Sequence, residues 1–293
     1  MLVCGSCHKL IDSFDTNYSA DALFKMKAEH EELVALLTSV KPNPKSEVVI
    51  YNCNIAERCI RISDTTALGS IIPDYYPAGN IVINLSPDLK LYDNEETFWR
   101  TMSEDLERRF VKHEDTIRDK HISLFAVAPQ PLLFKLGTLF NRNYNVAVRQ
   151  SQGDIADWRW KENKQTICLN MVEPLQKGEV EKVAITVEIT AKLSNEEIEK
   201  LLDGHRIYRI VANDCNSKAI KSNDDLQAVV KAYRNILDMI RYECAPNVEV
   251  ALIPIAPASV SIEMGRQLMK GDPTINIYDR NYLTKEWTSV LTL

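Results

Sequence analysis

The sequence predicts an α/β fold made of two similar halves, and an internal repeat is the main reason. A unit of strand, proline-containing turn, helix and second strand occurs at residues 121–150 and again at 249–280. Three positions recur at a separation of 128 residues: Ala128 and Ala256, Pro129 and Pro257, and Gly137 and Gly265. Apolar strands stand at matching places in both copies, so the repeat indicates a duplicated α/β domain.

In the later copy of the unit, the strand, the turn and the helix each have a recognisable sequence pattern. Residues 250–253 form an apolar strand that ends at Pro254, and Ser259 is the predicted cap of the helix that follows the turn. Gly265 lies inside this helix, where glycine costs about 1 kcal/mol relative to alanine. We therefore expect a close packing contact at Gly265.

Apolar periodicity predicts the other elements. In the first half the predicted strands are 48–51, 81–85 and 122–127, and the long helix is 94–113. In the second half the predicted strands are 183–190, 208–212 and 289–293, and the predicted helices are 194–202 and 222–242. Ser194 and Glu197 have the spacing of a capping box, which marks the start of the shorter helix.

Composition and charge are those of an ordinary globular protein. A chain of 293 residues allows two domains or one large domain. A net charge of −6 argues against nonspecific nucleic-acid binding by the whole surface. No apolar run approaches the roughly 20 residues of a membrane span, no signal peptide is visible, and the scattered cysteines are typical of reduced thiols. The sequence thus predicts a cytoplasmic protein without membrane contact.

A linker with two prolines, residues 41–46, predicts the main boundary of the chain. It separates an N-terminal segment, residues 1–40, from a main domain, residues 41–293. The two halves of the main domain are expected at about 41–165 and 166–293. Within the N-terminal segment, residues 19–37 have the apolar spacing of a helix.

The N-terminal segment begins with a group of potential metal ligands. Cys4 and Cys7 have zinc-knuckle spacing, His8 follows directly, and Asp12 lies four residues beyond His8. Two thiolates alone make a poor zinc site, because structural zinc is almost always four-coordinate. A loop with two free thiols is the alternative interpretation.

Residues 3–12 resemble the C-terminal half of an HNH endonuclease module, which usually reads LC-x-x-CH-x-x-ID. The resemblance implies that His8 is a catalytic residue that ligates a divalent metal such as Mg²⁺, and that Cys4 and Cys7 are ligands of a structural Zn. It also implies double-stranded DNA as the substrate. The upstream Cys pair, the general-base His and the Asn of that family have no counterparts here, so we expect an incomplete nuclease module.

The triplet Trp158-Arg159-Trp160 is unusual for a polar stretch. In a strand the two indoles would project to one face and the guanidinium to the other. One interpretation is a base-stacking platform beside a phosphate-binding cation. The alternative is a half-buried edge strand with ordinary core tryptophans.

Residues of about 41–293 resemble a SAVED domain. The resemblance depends on 254–266 followed by 275–279, together with 125–133 and the Trp-Arg-Trp triplet. SAVED domains are understood as two fused CARF-like, Rossmann-type halves, which agrees with the repeat. The resemblance implies a sensor of cyclic di- or trinucleotides in bacterial CBASS antiphage systems, which forms a homo-oligomer on ligand binding and activates a fused effector. Together with the HNH-like segment, it indicates the HNH–SAVED type of effector.

Two strand-to-helix turns are the expected ligand-binding positions. In open α/β sheets, ligands bind outside the carboxyl ends of the strands, and helix N-termini favour phosphate there. The turns 128–131 and 256–259 meet both conditions. The candidate ligand-binding residues around them are Gln130, Arg149, Trp158, Arg159, Trp160, Ser259, Tyr278 and Arg280.

Three functions compete at this stage. The first is a ligand-gated effector whose sensor activates an HNH nuclease that cuts DNA. The second is a stand-alone cyclic-nucleotide-binding module without nuclease activity. The third is an enzyme that degrades cyclic oligonucleotides, which needs a base or nucleophile near the phosphates, and no clustered His or Lys marks one.

Overall fold

A computed structural model describes most of the chain. The described residues are 4–13, 18–38, 44–56, 61–79, 82–87, 95–152, 157–161, 166–172, 182–245 and 247–293. They form two parallel or mixed sheets with helices on both faces, preceded by two helices at the N-terminus. This is the α/β class that the sequence predicts.

The N-terminal segment consists of α1 (Gly5–Ser13) and α2 (Ala20–Thr38). The Ser19 hydroxyl accepts a hydrogen bond from the amide of Ala22 at 3.3 Å, as expected at a helix start. The predicted helix 19–37 is therefore confirmed. The side chains of α1 are all outside the core, and Met26 and Leu33 of α2 are about half exposed.

The first half contains one parallel sheet. Its elements are β1 (Lys45–Asn52), α3 (Asp64–Ile71), β2 (Tyr76–Pro77), β3 (Ile83–Asn84), α4 (Glu95–Ile117), β4 (His121–Val127), α5 (Gln130–Leu139) and β5 (Asn145–Val148). The strand order is β3-β1-β4-β5. The short strand β2 also pairs with β1, as β3 does. The central strands are continuous apolar runs because both faces are covered, by α3 on one side and by α4 and α5 on the other.

The second half contains a larger sheet. Its elements are β6 (Leu169–Val172), β7 (Lys182–Glu188), α6 (Asn195–Leu201), β8 (Arg206–Ala212), α7 (Asn223–Glu243), β9 (Glu249–Ile255), α8 (Ala258–Arg266), β10 (Thr274–Arg280) and β11 (Trp287–Thr292). The order is β11-β10-β9-β7-β8-β6, with the outermost strands antiparallel. Capping boxes at Ser194 and Ser222 begin α6 and α7.

The two halves have the same arrangement. Four parallel strands follow the order β3-β1-β4-β5 in the first half and β8-β7-β9-β10 in the second. The repeat extends beyond the unit seen in the sequence, because a long helix, α4 in the first half and α7 in the second, precedes the repeated unit in each half. The equivalent helices α5 and α8 pack against each other and join the halves.

The glycines of the repeat explain how closely α5 and α8 approach. A Cβ atom added to Gly137 would lie 2.0 Å from the carbonyl oxygen of Ile262, and one added to Gly265 would lie 2.1 Å from that of Phe134. Phe134 and Ile262 are themselves 128 residues apart, so the contact is reciprocal. The close contact predicted at Gly265 is confirmed, and its partner is the equivalent helix of the other half.

Some predicted boundaries differ from the structure. The long helix of the first half continues from His113 to Ile117. The predicted strand 81–85 is only Ile83–Asn84, and residue 81 lies outside the described residues. The Trp-Arg-Trp triplet is not part of a strand, because the chain there crosses from one sheet to the other instead of pairing along an edge.

Candidate functional site

The strand order places one crevice in each half. Among the four parallel strands of the first half, β1 comes first in the chain and lies between β3 and β4; in the second half, β7 lies between β8 and β9 in the same way. The connections therefore leave in opposite directions at β1 and β4, and at β7 and β9. Ligands of such folds bind at this switch point, outside the carboxyl ends of the strands. We call this side of the two sheets the carboxyl edge. Helices α5 and α8 both begin there, within three residues of the ends of β4 and β9.

Polar contacts at the carboxyl edge connect the two halves. The Gln130 amide donates to the carbonyl oxygen of Ala256 at 2.6 Å, and the Ser261 hydroxyl donates to the Gln130 side-chain oxygen. The backbone amide of Ser259 donates to the side-chain oxygen of Gln150 at 3.2 Å. Gln130 therefore bridges the halves, and its amide is already engaged by protein groups in the structure.

Ser259 does not cap α8. The N-cap residue is Pro257, which has no side-chain acceptor, and Gln150 of the first half accepts the hydrogen bond from the Ser259 amide in the first turn. Ser259 lies within the first turn and is fully buried, and its hydroxyl oxygen has no hydrogen-bond partner among the described residues. The turn itself is where the sequence predicts it, but the hydroxyl faces the interior.

Exposed lysines lie near the carboxyl edge of the second half. The loop after β7 and the loop after β8 are joined by a hydrogen bond from the amide of Asn216 to the carbonyl of Ile189, at 3.1 Å. Lys192 and Lys218 are exposed in these two loops. Burial raises the pKa of Cys215, while the charge of Lys192 acts in the opposite direction, which places this lysine close to the second loop.

A buried ion pair at the end of β7 holds the loop that follows this strand. Glu188, at the end of β7, is fully buried and accepts two hydrogen bonds from Arg209 at 2.9 and 2.8 Å. It also accepts from the Thr186 hydroxyl and from the amide of Leu193. A fully bonded carboxylate of this kind fixes the loop that carries Lys192. Glu188 was not predicted from the sequence, although a charged residue at the end of an apolar strand is a recognisable signal of a special role.

The Trp-Arg-Trp triplet does not form an exposed platform. Trp158 is 1% exposed and packs edge-on against Phe125, with ring centroids 5.6 Å apart. Trp160 is partly buried, and its indole nitrogen donates to the carbonyl of Val148 at 3.1 Å. Arg159 is exposed and pairs with Asp157 at 3.4 Å. In this structure the core interpretation holds for Trp158, because the connection between the sheets seals the α3 side of the first sheet.

Arg149 lies toward the opposite end of the first sheet. Its guanidinium pairs with Asp74 at 3.8 Å and lies over the Tyr75 ring at 5.9 Å. Tyr75 stacks on His121, the first residue of β4, at a centroid distance of 4.0 Å. The side chain thus points away from the turns, and burial lowers the pKa of the guanidinium.

Tyr278 and Arg280 lie at the carboxyl end of β10. Tyr278 is partly buried against the cluster beneath α6, and Arg280 is exposed beside Glu197 at 3.6 Å. Both are on the sheet face opposite α8, because Ile275 and Ile277 of the same strand point into the core that α8 covers. The structure does not bring them together with Gln130 and Ser259.

The N-terminal residues form a small polar group. The sulfur atoms of Cys4 and Cys7 are 3.4 Å apart, and His8 pairs with Asp12 at 2.9 Å. Hydrogen bonds from Ser6 and from Cys7 lower the pKa of Cys4 to about 7. Within the described part of the chain, no group of three or more His, Cys, Asp or Glu side chains is arranged to hold a metal ion.

No helix among the described residues is long and apolar enough to cross a membrane.

Solved structures with a similar fold are receptors with SAVED/CARF domains. The Acinetobacter baumannii Cap4 receptor with the cyclic trinucleotide 2'3'3'-cAAA has a TM-score of 0.52 at 13% identity, and the match covers 100% of this chain and 62% of the receptor. The same receptor with 3'3'3'-cAAA has a TM-score of 0.47 at 16% identity, with coverage of 100% and 62%. The Moraxella osloensis Cap4 receptor has a TM-score of 0.48 at 13% identity, with coverage of 85% and 50%.

The match with a TM-score of 0.52 supports the fold. This chain spans less than two thirds of the length of each receptor. No curated protein shows significant sequence similarity to it. A family model, in contrast, matches residues 106–293, which is more than half of the chain and includes the whole second sheet. The chain therefore belongs to the SAVED family, the "SMODS-associated and fused to various effectors sensor domain".

Proposed function

We propose that this SAVED domain is a sensor that binds a cyclic oligonucleotide at the carboxyl edge, in contact with both halves. The observation that carries the proposal is the reciprocal packing of α5 and α8, which brings two equivalent strand-to-helix turns side by side at the switch points. The dipoles of α5 and α8 favour phosphate groups at these two turns. A ring with two or three phosphates can engage both turns at once.

Lysines of the second half supply the charge for such a ligand. Lys192 and Lys218 are exposed on loops that leave the carboxyl edge. The buried Glu188–Arg209 pair fixes the first of these loops, so Lys192 is held near the edge before a ligand arrives. A local cationic group on a chain of net charge −6 favours a small anionic ligand over long nucleic acid.

The relatives favour a cyclic trinucleotide over a cyclic dinucleotide. The Acinetobacter Cap4 receptor of similar fold is a complex with a cyclic trinucleotide. That ligand belongs to the relative, and at 13% identity its base contacts do not transfer to this chain. The binding experiment therefore determines the ring size.

The test is calorimetric titration of the whole chain with cyclic di- and trinucleotides. We expect saturable binding of one ring, weakened about tenfold or more by the double substitution Lys192→Gln and Lys218→Gln, since each charged contact contributes about 1 kcal/mol or more. The matched control is Lys200→Gln with Lys231→Gln, which removes two exposed lysines from α6 and α7. Absence of binding by folded protein, or equal losses in both variants, would reject the proposed site.

We further propose that ligand binding drives homo-oligomerisation and activates an effector in an antiphage system. The N-terminal segment, by its resemblance to HNH endonucleases, would belong to a module that cuts double-stranded DNA. The described residues supply two thiols and one imidazole–carboxylate pair. They do not fit a complete zinc or magnesium site, and we derive no cleavage step from them.

The alternative is a stand-alone binding module. The exposed and unpacked state of α1 favours it, because none of its side chains is buried against the sensor. Ligand recovered unchanged after prolonged incubation would exclude an enzyme that degrades the ring.

A further inference from the structure

The cysteine pair at the start of α1 has a geometry that suits chemistry other than metal binding. The two sulfur atoms are 3.4 Å apart, and both side chains are exposed. Closing a disulfide needs a sulfur–sulfur distance of 2.05 Å, an approach of about 1.4 Å. Cys4 directly precedes the helix, and its carbonyl accepts from the amide of His8 at 2.9 Å, so the first turn holds both thiols on one side.

The neighbours of the pair leave the thiols available. The Ser6 hydroxyl lies 3.0 Å from the sulfur of Cys4 and can donate to it. His8 is engaged with Asp12, and no further Cys, His or carboxylate completes a ligand set among the described residues. The other described cysteines are not exposed pairs; Cys168 is the exposed one among them.

We propose that Cys4 and Cys7 form a reversible dithiol–disulfide pair that is oxidised by hydroperoxides. With hydrogen peroxide, the Cys4 thiolate attacks one oxygen, the O–O bond breaks, Cys4 becomes a sulfenic acid, and the leaving hydroxide takes up the proton released by the Cys4 thiol to give water. The Cys7 thiolate then attacks the sulfur of Cys4, the S–O bond breaks, and the leaving hydroxide takes up the proton released by the Cys7 thiol to give a second water. Two thiols and one peroxide thus give one disulfide and two waters.

This modification site is independent of the sensor function. A disulfide offers no thiolate, so the oxidised pair cannot ligate zinc. Redox chemistry and a structural zinc site therefore make opposite predictions for the same two residues. The ligand titration of the SAVED domain neither supports nor rejects this proposal.

The test uses the whole chain, reduced and then freed of reductant, with hydrogen peroxide as the oxidant. Alkylation and peptide mass spectrometry should show an intrachain Cys4–Cys7 disulfide that dithiothreitol reverses. In Cys7→Ser, a sulfenic acid should be trapped at Cys4 by dimedone. Ser6→Ala should slow the reaction, and the exposed thiol of Cys168 should react about tenfold more slowly than Cys4.

Two results would overturn the proposal. One is that Cys4 and Cys7 stay alkylatable after peroxide to the same extent as Cys168. The other is that one equivalent of zinc accompanies the chain and protects both thiols until a chelator removes it. The second result would assign the pair to a metal site and would support the nuclease-like interpretation of the N-terminal segment.

Discussion

At the scale of single residues, adjacent side chains of the Trp-Arg-Trp triplet have opposite environments. Trp158 is buried in the cluster beneath α3, whereas Arg159 is exposed. Strand alternation would place the two indoles on one face, but the segment is not a strand, so its side chains follow the local path of the chain. Trp158 consequently has a structural role, whereas the side chain of Arg159 is accessible to a ligand.

Truncation of Trp158 should destabilise the protein without defining a ligand contact. We expect Trp158→Ala to lower the free energy of unfolding by about 3–5 kcal/mol, the usual cost of a large buried aromatic side chain. Arg159→Ala should change it by about 0.5 kcal/mol or less, as is usual at the surface. Urea unfolding monitored by circular dichroism measures both values. A small effect of the tryptophan substitution would place its side chain outside the core.

At the scale of elements, the α5–α8 pair is the contact that organises the molecule. The helices meet through backbone at Gly137 and Gly265, and Gln130 and Gln150 connect them at the carboxyl edge. At their other end, the Arg266 guanidinium donates to the carbonyl of Phe140 at 2.7 Å. Polar bonds at both ends and a glycine contact between them fix the relation of the two halves.

Substitution of the helix-crossing glycines tests this packing. Gly137→Ala would place its Cβ atom 2.0 Å from a backbone oxygen, which no side-chain rotation relieves. We expect a loss of about 2 kcal/mol or more in unfolding free energy, since overpacking typically costs 1–3 kcal/mol. The same should hold for Gly265→Ala. Thermal and urea denaturation provide the measurement.

Gly69→Ala is the matched control for these variants. Gly69 also lies inside a helix, α3, but nothing lies within 4 Å of the added Cβ atom. Alanine is favoured over glycine in helices by about 1 kcal/mol, so this variant should be equally or more stable than the parent. Loss of stability in all three variants would mean that the effect is not specific to the crossing.

At the scale of the whole molecule, the SAVED domain and the N-terminal helices are distinct in their packing. Each sheet has its own core, and each core receives a side chain from the other half: Phe134 of α5 lies in the core of the second half, and Ile262 of α8 lies in that of the first. Neither α1 nor α2 is among the elements that make substantial contacts with the sheets. A ligand signal therefore has to reach the N-terminal helices through assembly or through a partner, which is why oligomerisation is part of the proposed function.

The prediction at this scale concerns assembly and its consequence. Saturating ligand from the titration should raise the molar mass of the whole chain in light scattering, and the Lys192→Gln, Lys218→Gln variant should stay at its ligand-free mass. Linear double-stranded DNA with Mg²⁺ is then added to the assembled protein. Degradation abolished by His8→Ala would establish the effector, and its absence would favour the stand-alone module. An unchanged mass with bound ligand would contradict ligand-driven assembly.

The sequence alone determined the features that depend on local pattern. Apolar periodicity located most strands and helices, the capping box at Ser194 located one helix start, and the 128-residue repeat indicated the duplicated fold. The family resemblance and the strand-to-helix turns indicated where a ligand would bind. These features are encoded by neighbouring residues or by self-similarity, so no knowledge of distant contacts was needed.

The tertiary structure decided which side chains face the proposed site. Ser259 and Trp158 are buried, and Arg149 points toward His121, because each is placed by residues far away in the sequence. The backbone amide of Ser259 donates to the side-chain oxygen of Gln150, across 109 residues of chain. Exposure and hydrogen-bond partners are properties of packing between elements, and residue types along the chain do not specify them.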